Sequence, residues 1–507
     1  MVALAALIDV PVWLVLLIIA AVLYYLYATP FGVWSGLGIP GPKPTFAVGN
    51  VPQLYDTVKG VRCVIDSWVQ QYGRTFGVYY FRKPLLVVTD LELLKQVFVK
   101  DFNHFTDRWF HGEGKLQQPM IKKGLFFEFG MDWKRIRRIM TPTFSSGKLK
   151  SLVHHMNNTG RNLGESMATY AGDGKLADAN TVFGAFALDV ICGTAFGLEV
   201  NSQNNYEIPI IKHAKSLMTF EKDVQVLFTL AGLFPFLVPI LHKLEIGLFK
   251  RKDVNFFKRT ISALIAERKA APTPDDYADF LQLLLNAEAD SSVEDLGGSK
   301  KLTIDEITAQ GVLFIIAGYG TTSSTLQFLF YEIGRRPDIR EKVMNELNEH
   351  IAEMAEPTYE DCQKLKYIEA LINETLRCYP PVHLLSRNVD SEVKIGSFTI
   401  PSNGGVLIPI ANIMKDPEHF PDPDNFMPER FLNDDKQAAN IISFLPFGFG
   451  PRQCIGLRLA MLELKMAVVH MLKHVEVVDS EPEKLDLEDY LGVLVPKEPI
   501  KLKMKLK

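Results

Sequence analysis

The sequence predicts a mainly α-helical fold with a minor β part, preceded by a single N-terminal transmembrane helix. Three observations support this prediction. An uncharged apolar run occupies residues 10–28, helical patterns dominate residues 130–350, and β-type runs such as 85–89 and 393–400 are short. The chain has 507 residues, 47% of them hydrophobic, so it is long enough to bury a large core behind the apolar run.

The apolar run has the length of a membrane span. Val10–Ala28 holds no charged residue, and about 20 apolar residues match the ~30 Å hydrocarbon core of a bilayer. The run lacks the basic n-region and the small-residue cleavage site of a signal peptide, so residues 1–29 are predicted to be an anchor. The first basic residue is Lys43, and the positive-inside rule therefore places the N-terminus in the lumen and the rest in the cytosol.

A proline-rich segment follows the anchor and leads into one large domain. Three prolines lie within Pro40–Pro44, where they stiffen the backbone and end the helix. We therefore predict a hinge at residues 30–45 and a single domain at residues 46–507, which no Ser/Pro-rich or charged linker divides. The net charge of −4 gives no sign of nucleic-acid binding.

The five cysteines are scattered along the chain and include no C-x-x-C pair. An odd, scattered set argues against a disulfide framework and for a reducing compartment. The cysteines are Cys63, Cys192, Cys362, Cys378 and Cys454.

A second apolar stretch, residues 224–241, is long enough to be mistaken for another span. Gly232, Pro235 and Pro239 argue against a continuous spanning helix. On the residues alone two interpretations stay open. The stretch is either an irregular loop that dips into a membrane surface or a buried segment of the core.

A long helix is predicted to begin at Thr303, which forms a capping box with Glu306. The helix continues through Ala317-Gly318-Tyr319-Gly320-Thr321-Thr322 to about Ile333. Each interior glycine costs about 1 kcal/mol relative to alanine, so this stretch is a locally weak helix. Such places often carry kinks and function, although a buried helix without function has the same pattern.

The most informative stretch is Phe447-Gly-Phe-Gly-Pro-Arg-Gln-Cys-Ile-Gly456. It places Cys454 after a glycine-rich turn and directly before an apolar-periodic helix. A thiolate there would meet free backbone N–H groups and the positive end of the helix dipole, so its pKa is expected to fall. Gly450 and Gly456 would let the backbone approach a flat cofactor, and Arg452 would hold an anionic group of that cofactor.

These residues match the pattern F-x-x-G-x-R-x-C-x-G at every fixed position, and the chain thereby resembles the cytochrome P450 superfamily, the haem-thiolate monooxygenases. The resemblance spans about residues 35–500 and implies the cytochrome P450 fold. It also implies a haem b cofactor with Cys454 as the thiolate ligand of its iron, a ligand that favours O–O cleavage. Residues 46–507 would then be the haem-binding catalytic domain.

The segment 317–322 resembles the family's oxygen-activation motif, A-G-x-[D/E]-T-T. The resemblance makes Thr321 and Thr322 the candidate catalytic residues, with Thr321 guiding protons to the bound oxygen. Gly320 departs from the motif because it replaces the acid. Proton delivery is then expected to depend on the two threonines and water, and oxygen activation to be slower or leakier.

Glu374 and Arg377 lie three residues apart and so share one helix face. With Arg430 they resemble the family's Glu-Arg-Arg network behind the haem. Buried charges must be paired and hydrogen-bonded, so we expect these three residues to form a structural triad and not to act as catalysts.

The resemblance also implies further contacts with the haem. Trp133 and Arg137 form a W-x-x-x-R pattern whose family counterparts bind a propionate, and Arg387 matches another propionate-binding position. The neighbouring basic residues of the same helix form either a docking face for an acidic reductase or an ordinary solvated face. The complete set of expected cofactor-binding residues is Trp133, Arg137, Arg387, Phe447, Arg452 and Cys454.

Two segments, residues 140–150 and 233–241, resemble the drug-metabolising 3A-like branch in particular. In that branch the second segment is a membrane-facing loop, which favours the loop interpretation given above. By the same resemblance the substrate pocket would be lined by Phe126, Phe127, Ile316, Ala317, Val382, His383 and Leu494.

Three hypotheses for the function follow. The first is a single-pass monooxygenase of the endoplasmic reticulum membrane, with its catalytic domain on the cytosolic face, that acts on lipophilic small molecules such as fatty acids, steroids or xenobiotics. Its electrons would come from NADPH through a flavoprotein reductase, with cytochrome b5 as a second candidate donor. The second is a hydroperoxide isomerase or dehydratase that needs no electrons, which Gly320 favours and the Thr321–Thr322 pair opposes. The third is a haem-binding membrane protein without catalysis.

Overall fold

The computed structural model describes residues 11–28, 31–55, 60–108, 118–218, 222–270, 279–287, 301–351, 356–432, 441–490 and 493–507. Across these residues the fold is mostly helical with a small β part, as predicted from the sequence. Residues 1–10 and 29–30, which include parts of the predicted anchor and hinge, lie outside the described residues.

Helices supply most of the secondary structure, and the longest of them has 32 residues. The helices are α1 (Val12–Ala28), α2 (Val33–Gly36), α3 (Val51–Leu54), α4 (Gly60–Tyr72), α5 (Leu91–Lys95), α6 (Pro119–Lys122), α7 (Gly130–Met140), α8 (Ser146–Ser151), α9 (Val153–Gly172), α10 (Ala179–Phe196), α11 (Pro209–Met218), α12 (Lys222–Leu233), α13 (Val238–Lys243), α14 (Arg251–Ala270), α15 (Phe280–Asn286), α16 (Ile304–Arg335), α17 (Pro337–His350), α18 (Tyr359–Lys364), α19 (Lys366–Cys378), α20 (Ile410–Ile413) and α21 (Leu457–His474).

Short strands form small sheets beside the helices. The strands are β1 (Thr75–Tyr80), β2 (Lys83–Val88), β3 (Ala177–Asp178), β4 (Leu384–Asn388), β5 (Val393–Ile395), β6 (Phe398–Ile400), β7 (Gly405–Pro409), β8 (Val475–Glu481), β9 (Leu487–Tyr490), β10 (Val493–Pro496) and β11 (Lys501–Leu506). A four-stranded sheet has the order β1-β2-β7-β4, in which β2 and β7 are parallel and the other pairs antiparallel. A three-stranded sheet has the order β3-β11-β8, and β5-β6 and β9-β10 are hairpins.

The helix α16 runs through the main core and packs against α10 and α21. It begins as predicted, since Thr303 and Glu306 form both hydrogen bonds of the capping box, and it continues without a break to Arg335. Gly318 permits the close approach of α10, because a Cβ at this position would lie 2.5 Å from the Cδ1 atom of Ile191. This packing fixes the stretch of α16 that carries the two candidate threonines.

The predicted anchor region contains the apolar helix α1, whose described side chains are mostly exposed; Trp13, for example, is 64% exposed. Among the described residues, α10 and α16 are the helices long and apolar enough to cross a membrane, but most of the apolar part of each is buried in the protein, and the apolar part of α1 is shorter. That α1 crosses a membrane as a single span stays a prediction.

The segment after α1 packs against the four-stranded sheet. The indole of Trp34 is buried and donates a hydrogen bond to the carbonyl of Val78 at 2.9 Å. A Cβ on Gly77 would lie 2.3 Å from the Trp34 ring, so only glycine allows this contact. Part of the predicted hinge therefore lies against strand β1.

The second apolar stretch is broken, as its glycine and prolines predict. The helices α12 and α13 are separated by a short 3-10 turn, and the chain bends there by 108°. Several of its apolar side chains are exposed, among them Phe236 and Ile240. The stretch also touches the β1–β2 hairpin, since Gly232 lies directly against the ring of Phe81 at the hairpin turn.

Candidate active site

A cavity of about 300 Å³ lies between α16 and the loop that precedes α21. Its wall contains both candidate threonines, every expected haem contact and three of the expected pocket residues. These wall residues are Thr321, Thr322, Trp133, Arg137, Arg387, Phe447, Arg452, Cys454, Phe126, Ala317 and Val382. The fold thus brings together motifs that are far apart in the sequence.

Four other residues expected in the pocket lie outside the wall of this cavity. Phe127 is buried in the main core, so adjacent residues face different ways, with Phe126 towards the cavity and Phe127 towards the core. His383 is buried beside the four-stranded sheet, Ile316 is half-buried against the main core, and Leu494 lies on β10. That these four residues contact a substrate stays a prediction.

The loop before α21 presents Cys454 to the cavity. The N–H of Cys454 donates to the carbonyl of Phe447 at 2.9 Å and closes the turn. Gly450 has a φ of 74°, and a Cβ there would lie 2.3 Å from the carbonyl oxygen of Phe98, so the turn itself requires this glycine. At Gly456 a Cβ would meet no described atom within 4 Å, and this residue therefore leaves room for a flat group in the cavity.

The thiol of Cys454 is accessible from the cavity although protein surrounds it. Burial raises the pKa of this thiol and outweighs the hydrogen bond from the Gly456 N–H and the charges of Arg137 and Arg108. The expected fall of the pKa is therefore wrong for the polypeptide alone. A metal ion deprotonates a coordinating thiol outright, so the site does not need a low pKa in order to bind iron.

Four arginines, here called the cavity arginines, line the cavity: Arg108, Arg137, Arg387 and Arg452. Burial lowers the pKa of Arg108 to about 10, of Arg387 to about 9 and of Arg452 to about 8. Repulsion between the cavity arginines adds to this fall. Arg108 was missed in the sequence, because it matches no motif and lies in an irregular segment.

Within the described part of the chain, few anionic groups lie near the cavity arginines. The carboxylate of Asp107 lies 3.7 Å from Arg452, but the buried Nε atoms of Arg108 and Arg387 have no hydrogen-bond partner among the described residues. Buried cations call for an anionic partner. The arrangement therefore fits a group that carries two carboxylates, as the propionates of haem do.

Arg452 does more than supply charge. Its guanidinium donates to the carbonyls of Thr106, Leu125 and Glu128 at 2.7, 3.3 and 2.8 Å and lies 4.0 Å from the centre of the Trp133 ring. Through these three bonds Arg452 joins the cysteine loop to the segment opposite it. That Arg452 also holds an anionic group of a cofactor stays a prediction.

On the opposite wall, the hydroxyls of α16 differ in what they bind. Thr321 donates to the carbonyl of Ala317 at 2.7 Å, within its own helix. Thr322 donates to the Oε2 atom of Glu463 at 3.3 Å. Position 320 is a glycine, and the acid that Thr322 contacts lies on α21.

Glu463 is a wall residue that the sequence analysis missed. It is 2% exposed, and burial raises its pKa to about 8. The hydrogen bond from Thr322 opposes this shift only in part. Its signal in the sequence is slight: it is the single acidic residue of α21.

The structure places Glu374, Arg377 and Arg430 together behind the site. The Nε atoms of Arg377 and Arg430 lie 2.7 and 3.2 Å from the carboxylate of Glu374, and all three side chains are buried. Glu374 also accepts from the N–H of Met427 at 2.7 Å, and Arg377 donates to the carbonyl of Pro423 at 2.8 Å. The network thereby ties α19 to the long loop that leads to Cys454.

Comparison with known families agrees with this geometry. The family model described as Cytochrome P450 matches residues 39–504, a range that includes α16, the Glu374 network and the cysteine loop. The chain therefore belongs to the cytochrome P450 family, whose members are haem-thiolate monooxygenases.

Comparison with individual proteins confirms the predicted resemblance to the 3A branch. Cytochrome P450 3A29 of Sus scrofa is 36% identical over 495 residues, which cover 97% of this chain and 96% of the relative. Cytochrome P450 3A41 of Mus musculus is 35% identical over 494 residues, with the same coverage of both chains. Cytochrome P450 3A9 of Rattus norvegicus is 36% identical over 495 residues, again covering 97% and 96%.

Proposed function

We propose that the protein is a membrane-anchored monooxygenase that inserts one atom of dioxygen into lipophilic small molecules such as fatty acids, steroids or xenobiotics. The observation that supports this best is one cavity with an accessible cysteine thiol on one wall and a threonine pair on the other. The first wall suits a haem ligand and the second suits proton delivery to a bound oxygen.

The residues on the wall fit a haem. Cys454 would ligate its iron, Trp133 and the cavity arginines would hold its propionates, and Phe447 would contact its ring. When bound, the haem supplies the binding and cleavage of dioxygen, which a thiolate ligand favours. The chain itself orients the substrate, excludes water with apolar side chains and holds protons at the hydroxyls of Thr321 and Thr322.

The apolar part of the wall supports a lipophilic substrate. Leu313 and Phe314 of α16 line it together with Phe126, Phe144 and Val382. Apolar pockets with few polar groups bind mainly through the burial of apolar surface, at about 25 cal/mol per Å². Such a pocket selects by size and shape, so we propose broad selectivity.

The exposed apolar elements support a place at the endoplasmic reticulum membrane, with the catalytic domain on the cytosolic side. The helix α1 would be the single span, and the bent pair α12–α13 would rest in the membrane surface. Phe236, which is 70% exposed at the bend, is a fitting contact with lipid. The hydrophobic pocket would then draw its substrates from the same lipid phase.

The electrons would come from NADPH through a flavoprotein reductase, with cytochrome b5 as a second donor. The basic helix α7 supports a docking face, but a smaller one than its sequence suggests. Arg135 is paired with Glu306 and Asp132, whereas Arg138 is exposed. We propose that Arg138 and its neighbour Lys134 contribute the charge that an acidic reductase meets.

The test of the monooxygenase function is product analysis under isotopically labelled dioxygen. The haem-loaded protein would be incubated with NADPH, a flavoprotein reductase and a panel of lipophilic probes, and a reaction without NADPH would be the control. We expect label from dioxygen in a product only when NADPH is present. Unlabelled products, or none from the whole panel, would contradict the proposal.

A hydroperoxide isomerase is the second candidate, and Gly320 is the observation that favours it. An isomerase would consume lipid hydroperoxide without NADPH and would need no proton relay. The threonine pair and the acid behind Thr322 support the monooxygenase instead. Hydroperoxide consumed in the absence of NADPH, with no labelled product in its presence, would favour the isomerase.

A further inference from the structure

A short segment of the cavity wall, residues 123–126, is bound to α16 by the fully buried side chain of Gln310. The Oε1 atom of Gln310 accepts the N–H of Leu125 at 2.8 Å, and its Nε2 atom donates to the carbonyl of Lys123 at 2.9 Å. One side-chain amide thus bonds a donor and an acceptor of the same stretch of backbone, in the manner of a β ladder. The Nε2 atom also donates to the carbonyl of Glu306 at 3.1 Å within α16, which orients the amide.

The segment that Gln310 holds carries residues of the cavity wall. Leu125 and Phe126 both line the cavity. On the far side of the segment, the carbonyl of Leu125 accepts from Arg452 at 3.3 Å, and the carbonyl of Phe126 accepts from Arg108 at 3.2 Å. The guanidinium of Arg108 also lies 4.3 Å from the centre of the Phe126 ring. This part of the wall is therefore fixed between α16 and two cavity arginines.

Gln310 shares a face of α16 with the candidate catalytic residue Thr321. The two residues are 11 positions apart, which is about three turns of helix and about 16 Å along its axis. The helix is continuous over this distance. Because one helix carries both residues, it relates the position of the Phe126 ring to that of the threonine pair.

The amide of Gln310 is the contact on which the position of this segment depends most. Without it, the N–H of Leu125 and the carbonyl of Lys123 would lose these partners, and buried backbone groups without partners are costly. The side chain of Lys123 also pairs with Asp305 of α16 at 2.7 Å, but this ion pair is exposed and contributes little. Without the amide the segment would shift to find other partners, and the ring of Phe126 would shift with it.

We propose that Gln310 is a positioning residue, which holds Phe126 at a set distance from the threonine pair and thereby determines which carbon of a lipophilic substrate receives oxygen. Phe126 would contact the substrate, and Gln310 would act through it. The inference rests on the proposed monooxygenase function and deepens it, because it assigns the site of oxygenation to a residue that need not touch the substrate.

The central experiment uses the variant Gln310→Met in the full-length, haem-loaded protein. Methionine is similar in length to glutamine but forms neither bond to the segment. The probe is the steroid progesterone, or lauric acid if the steroid does not bind. Two measurements need no turnover: hydrogen exchange of the Leu125 amide, and the distances of the probe's protons from the haem iron, obtained from paramagnetic relaxation. The ratio of the oxygenated products is the third measurement.

We expect the amide of Leu125 to exchange about tenfold faster in the variant, because a buried donor loses its acceptor. A different proton of the probe should lie nearest the iron. The ratio of the main product to the others should fall about fivefold, which corresponds to the net contribution of one hydrogen bond. Haem content and the absorption that marks a thiolate ligand should not change, since the cysteine side is intact.

The matched control is Gln327→Met, the same substitution at another buried glutamine of α16. The side chain of Gln327 donates to Asn180 and Ser323, and this residue lies outside the cavity wall. The control should leave the exchange of Leu125 and the ratio of products unchanged.

Phe126→Ala separates positioning from a general loss of stability. This variant should change the ratio of products by itself. Adding Gln310→Met to it should change the ratio no further, although the amide of Leu125 should still exchange faster. If Gln310→Met retains too little haem, Gln310→Glu takes its place, because a carboxylate keeps the bond from Leu125 but cannot donate to Lys123. Its effects should have the same direction and a smaller size.

The proposal is overturned if Gln310→Met keeps the wild-type exchange of Leu125 and the wild-type order of probe protons around the iron. It is also overturned if Gln310→Met changes the ratio of products equally with and without Phe126. Failure of the wild-type protein to make labelled product would instead overturn the monooxygenase function. The amide exchange and the iron distances separate the two cases, because neither requires turnover.

Discussion

The two sides of the cavity are built in opposite ways. The cysteine side, formed by the loop at residues 447–456 and the cavity arginines, is rich in charge and in hydrogen bonds to backbone carbonyls. The threonine side, formed by residues 317–325 of α16 and by Glu463, consists of apolar groups, hydroxyls and one acid that burial keeps protonated. The first side is suited to hold an anionic cofactor in place, and the second offers hydroxyl groups beside an apolar surface.

Burial therefore changes the pKa values of the ionisable groups on the two sides with different consequences. On the cysteine side burial lowers the pKa values of cations that an anionic group would restore. On the threonine side burial raises the pKa of Glu463 and so favours its protonated form. Four substitutions test the comparison, taken in order of the expected effect.

The largest effect is expected from Cys454→Ser, which removes the thiol from the cysteine side. Serine has no thiolate to offer iron, so we expect oxygenation to fall to background and the absorption that marks a thiolate ligand to disappear. The control is Cys63→Ser, which alters an exposed cysteine outside the cavity wall and should leave both unchanged. If the Cys454→Ser variant still oxygenates its substrates, Cys454 is not the ligand of the iron, and the cysteine side does not hold the cofactor.

The next effect is expected from Glu374→Gln, which breaks the support behind the cysteine side. This change leaves the buried guanidinium groups of Arg377 and Arg430 without their anion. The loss of one partner of a buried ion pair typically costs about 3–5 kcal/mol. We therefore expect the free energy of unfolding to decrease by about 4 kcal/mol. Denaturant unfolding measures the change. The exposed pair Asp173–Lys175 provides the control, since Asp173→Asn should leave the free energy of unfolding almost unchanged.

On the threonine side, Glu463→Gln is expected to stabilise the protein in a pH-dependent way. The pKa of Glu463 is higher in the folded state, about 8 against 4.5, so the folded state binds more protons between these pH values. The free energy of unfolding of the wild type therefore falls as the pH rises through this window, whereas that of the variant does not, because glutamine does not titrate. We expect the variant to exceed the wild type by about 3 kcal/mol at neutral pH and by little at acidic pH.

Denaturant unfolding at several pH values would check this prediction. A constant difference between the two proteins across the window would show that Glu463 is ionised when folded. The threonine side would then resemble the cysteine side in carrying charge.

The smallest of the four effects is expected from Arg387→Gln, which removes one cavity arginine. Hydrogen bonds to charged groups contribute about 1.5–3 kcal/mol, so the haem should dissociate about 10- to 100-fold more readily. Haem transfer to an acceptor protein measures this rate. The control Arg138→Gln removes an exposed cation from α7 and should leave the rate of haem loss unchanged. Equal rates for the two variants would show that the cavity arginines do not hold the haem.

Much of the fold could be predicted because short local patterns determine it. The capping box at Thr303 marks the start of α16, and Pro235 and Pro239 mark the break between α12 and α13; both predictions are confirmed. The cysteine loop, the threonine pair and the Glu374 network were located through motifs whose spacing follows from turns and helix faces. These features depend on residues that lie close together in the sequence.

The features that could not be predicted depend on long-range packing. Glu463 appears as one acid in an apolar helix, and its partner Thr322 lies 141 residues away. The expected fall of the Cys454 pKa counted the local N–H groups and the helix dipole but not the cost of burial, which prevails. The directions of Phe127 and His383 likewise depend on packing that no motif encodes.

The β1–β2 hairpin connects two segments that are far apart in the sequence. Trp34 lies over Gly77 on strand β1, and Phe81 at the hairpin turn lies against Gly232 of the bent apolar pair, so one hairpin contacts both the segment after α1 and the bent pair. A displacement of the bent pair would therefore be passed through the hairpin to the segment that contains Trp34. If the bent pair rests in a bilayer surface, the four-stranded sheet lies beside that surface, and the chain that leads from α1 into the domain is held at the same side.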